Sequence, residues 1–141
     1  MSKTFETYRG AVYPWHCDHM DHMNVMHYVG KFDEATWNLF HFIGLTRARL
    51  AESRRGMAAV DQHIVYEREL PVGSVIFVTS RLVEVREKLI VFEHTMHNVE
   101  ADAVAARTTL KAVHLDLDLR KACAFEVGLA EQMRHYLSQN L

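Results

Sequence analysis

A chain of 141 residues is long enough to bury a core without disulfide or metal support. Its composition, 49% hydrophobic and 24% charged with two prolines and six glycines, is that of ordinary globular material. The formal charge of -2 gives no general electrostatic footprint for nucleic acid or an anionic membrane, so neither is expected as a partner. Cys17 and Cys123 are too few and too far apart for a disulfide framework or a thiolate zinc site. The first residues lack the basic-then-apolar pattern of a leader, and no run has the length of a bilayer span. These readings predict one domain over residues 1–141 in a reducing, cytoplasmic compartment.

In chain order, Tyr8 to Trp15 is aromatic and β-branched around Gly10 and reads as a first strand that ends at Pro14. A stretch from Trp15 to Tyr28 follows, with four of the ten histidines (His16, His19, His22, His27) and two acids, Asp18 and Asp21. After it, Val29, Phe32, Thr36, Leu39, Phe40 and Ile43 recur at helical spacing. Asn24 stands where a side-chain oxygen can cap the first turn, and Gly44 where the helix should end. Trp37 is expected on or near the buried edge of this helix. A short basic helical piece, Leu45 to Gly56, comes next and carries Arg54 and Arg55, which with Arg86 and Lys88 could hold a phosphate or simply face solvent.

Beyond Gly56 the character changes to strand. Met57–Leu70, Ser74–Val85, Lys88–Asn98 and Val104–Leu117 are rich in Val, Ile, Thr, Phe and Tyr. Pro71-Val72-Gly73, Arg86-Glu87 and Glu100-Ala101-Asp102 read as the turns that join them into hairpins of one antiparallel sheet. Val127, Ala130, Met133 and Leu137 mark a closing helix. The plan is α+β, with a five- to six-stranded antiparallel sheet curled around one long apolar helix. Its exposed edge strands predict pairing with a second subunit.

Two chemistries compete for the histidine-rich stretch. One is a metal site made by His16, Asp18, His19, His22 and His27, the ligand types zinc or iron would take, for a metal-dependent hydrolase. Against it, there is no His-Glu-x-x-His signature, and His63, His94, His97 and His114 are scattered. The other is a loop that carries a carboxylate to the N-terminus of a buried helix, whose free amides suit a developing oxyanion. Cys17 beside Asp18 has no evident paired base, and Met20, Met23 and Met26 read as adaptable apolar lining.

The run Asp18-x-x-x-His22-Met23-Asn24, with Tyr28 and Phe32-Asp33-Glu34-Ala35, resembles the hotdog-fold acyl-CoA thioesterases of the 4-hydroxybenzoyl-CoA thioesterase type. Tyr66-Glu67-Arg68-Glu69-Leu70-Pro71-Val72-Gly73 resembles the segment after the central helix in that family, and Arg107 through Arg120 its last strand. The resemblance spans nearly the whole chain and implies a hotdog fold, a homodimer or homotetramer, and an acyl-CoA substrate hydrolysed at a subunit interface without a cofactor. Residue by residue it implies Asp18 as the catalytic carboxylate, acting as nucleophile or general base. It implies the Val25 amide as the group that polarises the thioester carbonyl, with His22 and Asn24 completing the loop. The departure is Asp21, where the familiar pattern has glycine.

Substrate contacts are expected from Trp15 and Tyr28, and from His63 and Glu69 if a facing subunit brings them in; a surface strand position is the plainer expectation for the last two. The loop and helix also look most like the members associated with carnitine and betaine breakdown, for which Tyr13, Trp15, Tyr28 and Trp37 are available as a cation-π cage, with ordinary core packing the plainer expectation for all four. A non-hydrolytic acyl-CoA binding module on the same fold is the alternative from another class.

Overall fold

The computed structural model describes residues 3–137. In chain order the elements are β1 (Thr4–Ala11), a 3-10 turn (Pro14–His16), α1 (Val25–Phe42), α2 (Arg47–Ser53), β2 (Arg55–Tyr66), β3 (Val75–Val85), β4 (Leu89–Asn98), β5 (Ala103–Asp116), β6 (Lys121–Ala122) and α3 (Val127–Arg134). The strands form one antiparallel sheet in the order β1-β3-β4-β5-β2, with β6 paired to β5. Register slips by one residue at Glu6/Tyr8, Ala59/Asp61, Leu82/Glu84 and Met96/His97. Such bulges sharpen the twist and bend a strand, which curls this sheet around α1. This is the α+β hotdog arrangement that the sequence predicts.

Alternation decides what the concave face holds. Ile76, Val78 and Leu82 of β3, Ile90, Phe92 and Met96 of β4, and Ala106, Leu110 and Ala112 of β5 are buried against Phe32, Ala35, Leu39 and Phe40 of α1. Two apolar clusters result, one around Leu39, Phe40, Phe92 and Met133, the other around Met23, Tyr28, Phe32 and Met96. Between them in register lies a polar layer. His94 bonds Thr36 Oγ1 through Nε2 (2.8 Å) and Ser80 Oγ through Nδ1 (2.5 Å), and Ser80 in turn bonds Thr7 Oγ1 (2.6 Å). Burial pushes the His94 pKa down to about 3, so the ring is neutral in this layer.

Three expectations need correction. Pro71-Val72-Gly73 does form a tight turn, with Gly73 at φ +88, but it does not join β2 to β3 as a hairpin. β2 pairs with β5 at the far edge, and residues 67–74 cross to β3, where the Gly73 amide bonds Val12 O at the end of β1. Turn chemistry is local, whereas a strand's partner is set by which arrangement covers α1. The first strand ends at Ala11 rather than running to Pro14, and the segment to Trp15 continues as a 3-10 turn. The second helix stops at Ser53 with Arg54 left-handed at φ 54, so Gly56 lies inside β2. Trp37 lies at the edge of the buried face of α1, as expected: it is 50% exposed, and its ring packs edge-on against Phe40 at 5.4 Å.

Candidate active site

The loop between the 3-10 turn and α1 is a short hairpin. Cys17 bridges Met23, Asp18 N–H donates to His22 O (3.2 Å), and Asp21 N–H donates to Asp18 O (3.0 Å). His22 bridges Pro71 and Met23 N–H donates to Leu70 O (2.8 Å), so the crossover from β2 holds the loop from below. Asp21 takes φ 68, the left-handed conformation that glycine adopts most easily and aspartate tolerates better than most residues. That accounts for an aspartate where the resemblance expects glycine: the position demands a backbone conformation, and Asp21 supplies it.

Asp18 carries the most organised carboxylate of the loop. Asn24 Nδ2–H donates to its Oδ2 (2.7 Å) and the Met20 amide to its Oδ1 (2.8 Å). Those two bonds, the Asn24 side chain first, hold the Asp18 carboxyl below the usual carboxylate range. Asn24 does two jobs at once, since its Oδ1 accepts the Met26 amide (2.9 Å) and caps α1 while its Nδ2 fixes Asp18. Its backbone O accepts the His27 amide (2.9 Å). The Val25 amide, first of the helix, has no acceptor among the described residues. An ionised carboxylate and an unpaired helix-start amide therefore flank one capping residue.

Asp18, Cys17, Pro14, Asp21, Pro71 and Val72 line an open cleft of about 460 Å³. A second groove of about 360 Å³ runs between α1 and β2, lined by Met26, Val29, Gly30 and Asp33 on one side and Ala59 and Gln62 on the other. Sequence patterns assign no part in a site to Gln62, Pro71 or Val72, because their place depends on the β2 crossover.

The other expected site residues scatter. His22 Nε2 lies 3.5 Å from Glu69 Oε1 of the same chain, so Glu69 belongs beside the loop, beyond the end of β2. His63 lies on β2 with Val65, Glu93, Thr95, Arg107 and Thr109 around a cavity of about 240 Å³, and within this chain it is not brought to Asp18. Tyr28 is a core residue: its hydroxyl donates to Arg68 O (3.0 Å), its ring packs edge-on to Tyr66, and burial pushes its pKa up to about 12. The four aromatics expected as a cage occupy three places. Tyr13 and Trp15 stack on each other (4.6 Å), Tyr28 packs on Tyr66, and Trp37 packs on Phe40. Met23 is buried, while Met20 and Met26 are exposed.

The metal alternative fares no better. Among the described residues no three His, Cys, Asp or Glu side chains come together as a ligand set, since Asp18 is turned to Asn24 and His16 and His27 face each other without a carboxylate. Cys17 and Cys123 are free thiols. No helix among the described residues is long and apolar enough to cross a membrane.

A helix N-terminus set against a loop carboxylate, inside a curled antiparallel sheet, defines a hotdog-type protein. Residues 12–133 match the thioesterase-like superfamily, and the chain belongs to that family. Among solved structures it is similar to a hypothetical protein from Staphylococcus aureus determined in complex with CoA (19% identity over 100% of this chain and 90% of that one, TM-score 0.89). It is also similar to the probable thioesterase YbaW of Escherichia coli (22%, 95% and 100%, TM-score 0.81). A third similar structure is a 1,4-dihydroxy-2-naphthoyl-CoA thioesterase from Synechocystis (15%, 94% and 96%, TM-score 0.79). Among curated proteins no sequence relative is found.

Proposed function

We propose that this protein hydrolyses an acyl-CoA thioester to the free acid and CoA, with Asp18 as the reacting carboxylate. The observation that carries the reading is the shared use of Asn24, which holds the Asp18 carboxylate ionised while capping the helix whose Val25 amide is left without an acceptor. Family membership and the CoA-bound structural neighbour support an acyl-CoA thioester as the substrate class.

A thioester needs only carbonyl polarisation and an oxygen nucleophile. The Val25 amide, at the positive end of α1, receives the charge that develops on the carbonyl oxygen. Asp18 then either attacks the carbonyl carbon, expelling CoA thiolate and forming a mixed anhydride that water cleaves, or takes a proton from the attacking water. Hydrogen bonds that keep Asp18 ionised lower its basicity and its nucleophilicity together, so they leave both routes open. Multiple turnovers in 18O water separate the two, because only the anhydride route leaves label in the Asp18 carboxylate. His22 and Glu69 act here on the loop: His22 O accepts the Asp18 amide, and the His22–Glu69 contact ties the loop to the crossover.

The acyl group fits the groove between α1 and β2, beside an edge strand of twelve residues with Val60, Val65 and Tyr66 exposed. An uncovered edge of that length is a template for a second copy, so the working unit is a homodimer, or a homotetramer built from two, that brings His63 near the neighbouring site. Free Cys17 and Cys123 suit a reducing, cytoplasmic setting.

The test is thiol release from short, aromatic and cationic acyl-CoA thioesters by the parent, Asp18→Asn and Asp18→Ala, with the mass in solution measured alongside. A parent that binds CoA thioesters and releases no thiol from any of them is a binding module instead. Full activity from a monomer removes the shared-site part of the reading.

A further inference from the structure

On the side of α1 that faces β1 lies a cluster that thioester hydrolysis does not use. Lys31 is only 5% exposed, and its ammonium donates to Tyr8 Oη (2.7 Å) and sits 4.9 Å from the centre of the Tyr8 ring. That leaves two N–H donors and a positive charge, and among the described residues no ion pair reaches Lys31. Room for the arrangement comes from Gly10, where a Cβ would meet Tyr8 Oη at 2.5 Å. His27, one turn before Lys31 on the same face, stacks obliquely on His16 at 4.8 Å. His16 Nδ1 accepts the Tyr13 amide (3.0 Å), which puts the proton of a neutral ring on Nε2 and leaves a second donor there. Burial, then the charges of Lys31 and His27, hold the His16 pKa below its ordinary value, which favours the neutral ring with its Nε2–H donor, and among the described residues no carboxylate pairs with His16, His27 or Lys31.

Beside it stands an uncovered aromatic platform. Tyr13 and Trp15 are stacked with rings 4° from parallel, yet they are 51% and 70% exposed, and Trp15 lies edge-on to His16 at 5.8 Å. A flat indole face open to solvent and a buried cation without a carboxylate are each costly alone. One ligand relieves both: a planar base on the ring and an anionic group between the histidines and the lysine. We propose that Trp15, His16, His27 and Lys31 form a binding site for a purine nucleotide, the base stacked on Trp15 and the phosphate held by the three basic side chains. Two sources share that chemistry, the phosphoadenosine end of the CoA substrate and a separate nucleotide that binds as an effector. The first rests on the function proposed above and the second does not.

The chain has two tryptophans, so Trp37→Phe leaves Trp15 as the only indole reporter. In that background, 3′-phosphoadenosine 5′-phosphate is expected to quench Trp15 emission saturably. Lys31→Met and, independently, His27→Ala are expected to weaken the titration about tenfold or more while melting as cooperatively as the parent. If the substrate's own nucleotide fills the site, dephospho-CoA thioesters show a raised KM in the parent and no further rise in Lys31→Met. If a separate nucleotide fills it, the KM values agree and quenching by AMP persists under saturating CoA. No saturable quench with 3′-phosphoadenosine 5′-phosphate, AMP or inorganic phosphate overturns the site, as does a quench that neither substitution weakens. Because fluorescence is read without turnover, failure of the site is distinguishable from failure of the thioesterase reading.

Discussion

Asp18 and His94 are both titratable, both hold two side-chain hydrogen-bond contacts, and both have depressed pKa values, yet the physics behind them is opposite. Asp18 lies in an open loop, where donors from Asn24 and Met20 favour its charged form. His94 is fully buried between two apolar clusters, where loss of water disfavours its charged form. The same direction of shift keeps one group ionised, as the proposed chemistry requires, and the other neutral for packing. A perturbed pKa therefore locates function only once its cause is known.

The largest effect expected from breaking this comparison is at Asp18. Asp18→Asn keeps the shape but not the charge, and thiol release should fall about 1000-fold with little change in melting temperature. Retention of more than a tenth of the parent rate would remove Asp18 from the chemistry. His94→Phe should leave substrate KM unaffected but lower stability by about 2 kcal/mol in urea unfolding at pH 7, because Thr36 and Ser80 each lose a buried partner.

The same residue governs a pH dependence. With a folded pKa of about 3 against 6.5 unfolded, the unfolded chain binds the extra proton between those values. Its stabilising contribution is therefore complete above pH 6.5 and is lost as pH falls toward 3, at about 1.4 kcal/mol per pH unit. The difference between parent and His94→Phe unfolding curves across that window should show the slope, and parallel curves would mean that the ring accepts a proton in place.

Asn24→Ala sharpens the comparison from the other side, because it removes the donor that favours the Asp18 anion and also the helix cap. The acid limb of the rate profile should move to higher pH, kcat should fall about tenfold, and stability should drop by about 1 kcal/mol. An unchanged acid limb would show that Asn24 only caps. The smallest effect is at Asp21. Replacement by glycine should alter stability by no more than about 0.5 kcal/mol, whereas valine, strained at positive φ, should cost about 1 to 2 kcal/mol.

The loop and the start of α1 are legible in the amino-acid order alone. Asn24 as cap and Gly44 just past the helix end are written in local chemistry, and Gly44 indeed takes φ +104. The partner of β2 is not legible, because Pro71-Val72-Gly73 makes a turn whichever strand lies next. The aromatics are not gathered into one cage for a related reason: Tyr28 and Trp37 share a helix, but the rotation between them buries Tyr28 and leaves Trp37 half-exposed against Phe40. Lys31 escapes a pattern-based reading since a lysine on an amphipathic helix reads as surface, and only its approach to Tyr8 over Gly10 reveals otherwise.

The sequence by itself therefore determined the order of the main elements and the helix cap and singled out the loop carboxylate, all of which depend on residues within a few positions of one another. Tertiary structure alone decided which edge β2 occupies, which grooves exist, that His94 would be neutral, and that Lys31 would be buried against Tyr8. Burial and the neighbours that impose it come from strands far apart in the chain, and no local pattern encodes the dielectric a side chain will meet.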